Sequence, residues 1–354
     1  MSTVQQSRYA GTEPVRPGYQ IDPIRLTAWL EIHIEEFSGP LSIEQFKGGQ
    51  SNPTYRLRTP RRDYVLRRKP PGNLLRGAHA VEREYRVISA LLRVGFPVAR
   101  ALAMCLDDAV IGTWFYVMEM VNGRVFWDST LPGVTKKERP QYFDAMNATI
   151  SALHQLHPGT IGLADYGKPG NHFARQISRW SRQYTEDVVA GRNPNMDRLV
   201  DWLPSHIPPG EQTSIVHGDF RADNLVFHPH EPRVIAVLDW ELSTLGHPLA
   251  DFTYHLMMYR LPPTILGGFS GTDQGVLGIP SEAEYMAAYC RRTGRTELTD
   301  LNFYLAFNMF RFAAILHGIR GRLMRGTASS VHAKAMADNV EPLAELAWAH
   351  AQRS

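Results

Sequence analysis

The sequence predicts an α+β protein with two lobes, a small β-rich N-terminal lobe followed by a larger, mostly helical C-terminal lobe. Strand-like segments separated by turn residues dominate as far as residue 121, and helical spacing of apolar residues dominates after Gly123. The 354 residues also exceed what one hydrophobic core usually serves. We therefore expect a polar N-terminal arm at 1–22, one lobe at 23–121 and another at 122–354, with an active site between the lobes.

The elements of the first lobe follow from apolar spacing and turn residues. A helix is predicted over 24–37, because its apolar residues have helical spacing and Pro40 ends the pattern. Gly48 and Gly49 mark the turn of the first hairpin. Strands are predicted at 41–46, 54–58, 64–68, 98–106 and 113–121, with a helix at 78–94.

The second lobe is predicted to be helical apart from one β-rich island between Ser214 and Glu241. The helices are expected at about 138–157, 172–190, 282–293, 299–317 and 328–350.

Composition excludes several classes of protein. There are 38 basic and 35 acidic residues, and an excess of +3 is too small to indicate a nucleic-acid partner. Cys105 and Cys290 form neither a disulfide framework nor a metal-binding motif. The first 16 residues lack the apolar core of a signal peptide, and no apolar run is long enough to span a membrane. A cytoplasmic protein is expected.

The most informative stretch runs from Ile215 to Phe227. Within it, Asn224 follows Asp219 by five positions, and Asp239 lies at the end of the next strand-like segment. Phosphoryl transfer needs a carboxylate beside the attacking hydroxyl and oxygen ligands for Mg²⁺. A turn Asp, an Asx-turn Asn and a strand-end Asp would explain each residue singly. Their joint spacing, which protein kinases share, favours phosphotransfer.

The pattern His-Gly-Asp-Phe-x-x-x-Asn-Leu, followed by Leu-Asp-Trp-Glu, resembles the aminoglycoside phosphotransferase family. Residues 65–72 and 81–85 make the chain most similar to the kinase-like domains fused to acyl-CoA dehydrogenases. The resemblance implies a protein-kinase-like two-lobed fold, with ATP or GTP and Mg²⁺ as cofactors. It further implies that Asp219 is the catalytic base and that Asn224 and Asp239 bind the metal. His217 is expected to be a structural hydrogen-bonding residue.

The first lobe is expected to bind the nucleotide. In the first hairpin turn, Gly49, Ser51 and Asn52 would let backbone N–H groups approach the phosphates, although a plain turn is the alternative. At the end of the last strand of the lobe, Met118 to Met120, the resemblance implies a hinge in which Glu119 and Met120 meet the adenine edge. A simple linker is the other interpretation.

The resemblance aligns Arg67 with the strand lysine of kinases and Glu84 with its partner on the following helix. Arginine keeps the charge of lysine but not its geometry. Lys69 shares the strand face of Arg67 and could contact the phosphates instead, so both stay candidates. Glu82 is the weaker candidate for the ion pair.

The sequence gives fewer signals for the residues that bind the acceptor. His247 stands where the family more often has Asp, and Asp251 is expected to anchor the loop or cap the next helix. Residues 252–327 hold more basic than acidic residues, which favours an anionic or neutral acceptor over a polycationic antibiotic. The side chains considered for acceptor specificity are Tyr254, Tyr259, Arg260, Phe303, Tyr304, Arg311 and Arg320.

The sequence thus predicts a kinase of a small hydroxylated molecule, and a hydroxyacyl-CoA acceptor follows by analogy. A nucleotide-binding module without turnover and an antibiotic-modifying phosphotransferase are the alternatives. A protein kinase is disfavoured because Asp-Phe-Gly and Ala-Pro-Glu are absent. The identity of the acceptor, ATP against GTP, drug resistance and oligomeric state stay open.

Overall fold

The computed structural model describes residues 11–47, 52–71, 79–327 and 333–354. The chain divides into two compact units that both combine separate segments of the sequence. The first unit comprises Met1–Val134, Gly159–Tyr166 and Arg221–Ser243. The second comprises Thr135–Pro158, Gly167–Phe220 and Thr244–Ser354.

The first unit is built on an antiparallel sheet of six strands in the order β1-β2-β3-β4-β6-β5. The strands are β1 (Thr12–Glu13), β2 (Ser42–Phe46), β3 (Thr54–Arg58), β4 (Asp63–Arg68), β5 (Ala101–Cys105) and β6 (Phe115–Glu119). The sequence placed the last five of these within a few residues.

The first strand corrects the prediction of a loose arm over 1–22. Thr12 pairs with Phe46 and Glu13 with Gln45, so residues 12–13 form an edge strand. This pairing satisfies backbone groups of β2 that would otherwise form an open sheet edge. A strand of two residues gives no alternating pattern for sequence reasoning to detect.

Two helices pack on this sheet. Helix α1 (Pro23–His33) begins at Asp22, whose carboxylate accepts from the N–H groups of Ile24 and Arg25. It ends four residues earlier than predicted. Helix α2 (Val81–Arg93) buries one face against the unit, and that face includes Glu84 among apolar residues. A short third helix, α3 (Asp108–Ile111), was not predicted.

The remainder of the first unit is a hairpin of β8 (Leu225–Phe227) and β9 (Val234–Val237). Arg124 and Phe227 exchange two backbone hydrogen bonds of 2.8 Å, which tie the segment after β6 to this hairpin. Gly123 is required there because a Cβ atom would lie 2.3 Å from the carbonyl oxygen of Phe227.

The second unit is helical apart from the antiparallel pair β7 (Ser214–Val216) and β10 (Thr244–Gly246). Its helices are α4 (Arg139–Gln155), α5 (His172–Glu186), α6 (Pro194–Trp202), α7 (Pro248–Leu256), α8 (Gln274–Leu277), α9 (Glu282–Thr293), α10 (Leu301–Met324), α11 (Ala333–Ala337) and α12 (Val340–Ala351). Within the described ranges, no helix combines the length and apolarity needed to cross a membrane.

The helices of this unit differ from the prediction in several places. Helices α6, α7 and α8 were missed, α10 is longer than expected, and the single helix predicted over 328–350 is two helices where the chain is described. Every residue of α7 is buried, so its apolar residues show no one-sided spacing. Helix α10 is likewise buried on most of its surface, so no change in apolar spacing marks the residue at which it ends.

Several histidines of the second unit are buried in their neutral form. Burial lowers the pKa of His172, His247, His255 and His350 to about 4 in each case. The unfolded chain therefore binds protons between pH 4 and 6.5 that the native protein does not bind. Stability from these residues is complete above pH 6.5 and is lost as the pH falls towards 4.

We predict that the melting temperature falls steeply between pH 6.5 and 5. The replacement His255→Gln keeps a hydrogen-bonding side chain beside Tyr285 but removes the titration, so it should flatten this dependence by up to about 1.4 kcal/mol per pH unit. Thermal unfolding followed over this pH range measures the effect, and His206→Gln at an exposed position is the control. An unchanged slope in the His255 variant would contradict the assignment.

Candidate active site

One buried arginine in the first unit is surrounded by three carboxylates. Arg67, on β4, has a side chain only 8% exposed. Its Nε lies 2.8 Å from Oε2 of Glu84 on α2. Its Nη2 lies 2.7 Å from Oδ1 of Asp239 and 3.3 Å from Oε2 of Glu241. The guanidinium thus joins a strand, a helix and the segment that follows β9.

The protonation of this cluster follows from its burial. Burial lowers the pKa of the Arg67 guanidinium, but the carboxylates of Asp239 and Glu84 raise it by more, so it ends above its ordinary value. Burial raises the pKa of Glu84, and Arg67 offsets part of that change. Burial also raises the pKa of Tyr116, whose hydroxyl donates to Glu84 across 3.3 Å. Arg67 therefore keeps its charge while three carboxyl groups face it.

Asn52 belongs to the same cluster. Its side chain is fully buried, and Nδ2 donates to Oε1 of Glu84 across 2.7 Å. Its Oδ1 lies 2.9 Å from Nδ1 of His79. The amide therefore positions Glu84. The other two residues predicted for this turn, Gly49 and Ser51, lie outside the described residues.

Lys69 is held in a different ion pair. Its Nζ lies 3.0 Å from Oε2 of Glu82 and 4.0 Å from the ring centroid of Trp114. Arg67 on β4 and Lys69 just after it thus have separate acidic partners, Glu84 and Glu82. Arg67 lines the cavity described next, whereas Lys69 is not part of its lining.

A cavity of about 480 Å³ lies within the first unit. This volume is in the usual range for small-molecule sites. Apolar side chains form most of the wall, and Glu119 and Met120 also line it. The polar wall includes Arg67, Asn224 and Asp239. The apolar wall includes Val65, Ile88, Ala99, Met118, Val226, Val237 and Trp240.

Asn224 and Asp239 reach this cavity from two connected segments. Asn224 ends a 3₁₀ turn, and its carbonyl oxygen accepts from the N–H of Leu238 across 2.8 Å. Asp239 has φ of 62° and ψ of 66°, a left-handed conformation that non-glycine residues rarely adopt. The hydrogen bond fixes the chain on one side of Asp239, and the contact with Arg67 fixes its carboxylate.

Asp219 lies in the second unit, on a loop after β7 that Asp251 anchors. The buried carboxylate of Asp251 accepts from the N–H groups of His217 and Gly218 across 2.7 and 2.8 Å. His217 is fully buried, and its Nδ1 accepts from the N–H of Asp219 across 3.2 Å. Asp251 therefore anchors the loop, as expected, and His217 makes a structural hydrogen bond. His154 lies 3.2 Å from Asp251 and supports it.

Two helices hold the Asp219 side chain and its neighbour. The hydroxyl of Tyr254 on α7 donates to Oδ1 of Asp219 across 2.6 Å. Arg311 on α10 donates from Nη2 to the carbonyl oxygen of Gly218 across 2.8 Å, and its guanidinium lies 5.2 Å from the ring centroid of Tyr254. The carboxylate of Asp219 is thereby fixed in orientation.

The other side chains considered for acceptor specificity have structural contacts. Phe303 and Tyr304 pack against Phe173 in the core. Arg260 and Arg320 form ion pairs with Glu282 and Glu341, and the hydroxyl of Tyr259 donates to the carbonyl of Pro280. Within this set, only Tyr254 and Arg311 are seen to contact the Asp219 loop.

His247 caps helix α7. Its Nδ1 accepts from the N–H of Leu249 across 3.2 Å, which is the bond that an aspartate would make at this position. Burial lowers the pKa of His247 to about 4, so its ring is neutral and can accept. Although the family more often has aspartate at this position, His247 therefore caps the helix in the same way.

Sequence reasoning missed one member of the cluster. Glu241 contacts Arg67 and also accepts from Asn52 across 3.5 Å. In the sequence, only its position two residues after Asp239 indicated that Glu241 could belong to the site. Among the described residues, no group of three His, Cys, Asp or Glu side chains forms a metal site. The predicted ligand pair has only two members.

Comparisons with known proteins agree on one family. A model described as the phosphotransferase enzyme family, APH, matches residues 42–298. Acyl-CoA dehydrogenase family member 10 of Mus musculus is 44% identical over 340 residues, which is 95% of this chain. The chain spans only 32% of that relative's length.

Solved structures extend the comparison. A candidate aminoglycoside phosphotransferase from Ralstonia eutropha JMP134 is 52% identical, with a TM-score of 0.86 over 94% of this chain and 99% of that one. A thermostable mutant of an aminoglycoside phosphotransferase, solved with ADP and hygromycin B, has a TM-score of 0.60 at 14% identity. That alignment covers 91% of this chain and 97% of the other, and it shows a shared fold alone.

We predict that removing Arg67 destabilises the protein far more than removing Lys69. Arg67→Met leaves Glu84 buried without its cation and should lower the free energy of unfolding by about 3–5 kcal/mol. Lys69→Met breaks a partly exposed pair and should cost no more than about 1 kcal/mol. Urea-induced unfolding at neutral pH compares the two matched variants. Equal losses would mean that Arg67 does not hold the cluster together.

Proposed function

Because the chain belongs to the phosphotransferase enzyme family and has its kinase-like fold, we propose that it transfers the γ-phosphate of a nucleoside triphosphate to a hydroxyl of a small molecule. The observation that carries this proposal is the cavity of the first unit, whose wall combines apolar side chains with Arg67, Asn224 and Asp239. An apolar slot beside charged groups suits a nucleotide base and its phosphates.

The nucleotide is proposed to occupy this cavity, with its base near Glu119 and Met120. The N–H of Glu119 already donates to the carbonyl oxygen of Arg100 across 2.9 Å. The backbone of Met120 and the carbonyl of Glu119 are therefore the groups assigned to the base edge. ADP bound to the aminoglycoside phosphotransferase of the same fold supports ATP as the donor, and GTP is the alternative.

Asn224 and Asp239 are the proposed ligands of Mg²⁺. A carboxylate and an amide oxygen that line one cavity fit a hard cation that keeps several waters and shares phosphate oxygens. The ion would neutralise charge on the phosphates during transfer. Arg67 holds the carboxylate of Asp239 towards the cluster, and Leu238 ties the two ligand-bearing segments together.

Asp219 is proposed as the base that receives the proton of the acceptor hydroxyl. Tyr254 and the His217–Asp251 loop contacts orient its carboxylate before the acceptor binds. Because the base is already oriented, less entropy is lost when the reacting groups reach the geometry of transfer.

The proposed acceptor is a hydroxyacyl-CoA or a similar hydroxylated metabolite. The basic excess in residues 252–327 and the likeness to acyl-CoA dehydrogenase family member 10 support this choice over a polycationic antibiotic. A nucleotide-binding module without turnover is the second candidate. The observation that favours it is Arg67, which stands in the kinase lysine position and already contacts Asp239.

We predict that nucleotide binding depends on Mg²⁺ through Asp239. ATP should raise the melting temperature only when Mg²⁺ is present, because a ligand that binds the native state alone stabilises it. Asp239→Ala should remove most of that increase. Thermal unfolding with ATP, with and without Mg²⁺, measures both effects. The same stabilisation by ATP in the presence of a chelator would rule out the metal assignment.

Asp219→Asn separates an enzyme from a binding module. The variant should bind Mg·ATP with nearly normal affinity but form product at least about 100-fold more slowly, because a positioned base is removed. A nucleotide titration and single-turnover product formation with hydroxylated acceptors measure the two quantities. Asp338→Asn, at an exposed position where the native carboxylate pairs with Lys334, is the control.

Two results would change the proposal. Product formation by the Asp219 variant at the wild-type rate would remove Asp219 from the mechanism. A wild-type protein that binds ATP but phosphorylates no alcohol or CoA ester in a broad panel would favour the binding module.

A further inference from the structure

Two arginines, Arg179 on α5 and Arg311 on α10, lie on packed helices of the second unit. Nε2 of Gln183 on α5 donates to the carbonyl oxygen of Ala314 on α10 across 3.2 Å. Arg179 lies four residues before Gln183, and Arg311 lies three residues before Ala314. Spacings of three and four keep side chains on one face of a helix. Arg179 and Arg311 therefore lie on the facing sides of α5 and α10, one turn from this contact.

The positive charges of this pair are not balanced by an ion pair. In the described part of the second unit, Arg320 and Arg325 on and beside α10 pair with Glu341 and Asp187. No carboxylate lies within ion-pair distance of Arg179 or Arg311 among the described residues, and Arg179 is exposed. Burial of part of its side chain lowers the pKa of Arg179, and the charge of Arg311 lowers it further. Two like charges held together in this way are stabilised by an anion.

The arginine pair adjoins the proposed base. Arg311 donates to the carbonyl oxygen of Gly218, the residue before Asp219, and packs over Tyr254, which donates to Asp219. The guanidinium of Arg179 lies 4.9 Å from the ring centroid of Trp180 on the same helix. His172, at the start of α5, stays neutral at neutral pH because burial and the charge of Arg311 lower its pKa to about 4.

We infer that Arg179 and Arg311 form an anion subsite that holds a carboxylate or phosphate group of the acceptor beside Asp219. Guanidinium groups suit both anions because their N–H groups bond two oxygens at once. This inference rests on the proposed function for its biological role, since the bound group belongs to the molecule that is phosphorylated. It adds where the anionic group of that acceptor binds and names the two residues that hold it.

The test uses direct binding to the whole chain in the presence of ADP. The probes are coenzyme A, which supplies phosphates, and 3-hydroxybutyrate, which supplies a carboxylate. The variants are Arg179→Gln, Arg311→Gln and the charge-conserving Arg311→Lys. Arg291→Gln, at an exposed position on α9, removes the same charge elsewhere in the unit and is the matched control.

Each glutamine variant should weaken binding of the anionic probe by about 10- to 100-fold, the usual effect of losing a charge-assisted hydrogen bond. The lysine variant should lose less, and the control should bind as the wild type does. If only coenzyme A binds more weakly to the glutamine variants, the group held is a phosphate. If only 3-hydroxybutyrate binds more weakly, the group held is a carboxylate. Either outcome supports the subsite. A wild type that binds neither probe, or glutamine variants that bind like the control, would overturn it.

Turnover distinguishes this inference from the proposed function. With 3-hydroxybutyryl-CoA as acceptor, Arg179→Gln should raise KM and leave kcat nearly unchanged, whereas its KM for the neutral acceptor butane-1,3-diol should not change. Arg311→Gln should raise KM for the anionic acceptor as well, and it should also lower kcat because Arg311 holds the carbonyl oxygen of Gly218 beside Asp219. An equal KM in all variants with the anionic acceptor would refute the subsite while leaving the enzyme intact. Absence of product from every acceptor, with the binding differences still present, would refute the proposed function and retain the anion site.

Discussion

The contact of Arg67 with Glu84 and Asp239 is the interaction on which the first unit depends. It connects strand β4, helix α2 and the segment after β9 through one guanidinium. Each buried charge is tolerable only because the others are present. The same contacts hold Asp239 in the wall of the cavity. The packing of the unit and the arrangement of its polar site are therefore determined together. An arginine suits this junction because a planar fork can bond several carboxylates in fixed directions.

Much of the fold could be predicted because its sheet obeys a simple pattern. Strand β3 runs over Thr54–Arg58 as predicted, and its neighbours shift by only one to three residues. The kinase-like fold and the phosphotransferase family, both implied by the island around Asp219, are confirmed by the family match and the solved relative. Prediction failed where burial is complete, as in helix α7, or where the element is too short for a period, as in β1.

The sequence could name candidate residues for the site but not their contacts. Spacing singled out Asp219, Asn224 and Asp239 as candidates. Arg67 and Lys69 lie on the same face of the strand, so both remained candidates for the phosphate contact. The structure separates these two, because Glu84 pairs with Arg67 while Glu82 pairs with Lys69. Such a choice depends on which helix turn meets the strand, and local sequence carries no information about it. Their roles towards nucleotide, metal and acceptor stay predictions.

The left-handed backbone of Asp239 has a consequence for how this position can evolve. Glycine, asparagine and aspartate tolerate such a conformation far better than other residues, and β-branched residues tolerate it least. A descendant that abandoned phosphotransfer would therefore drift most easily to asparagine or glycine here. The geometry narrows the available replacements even after the chemical requirement has gone. Among distant homologues, a change at this single position would thus leave the turn itself in place.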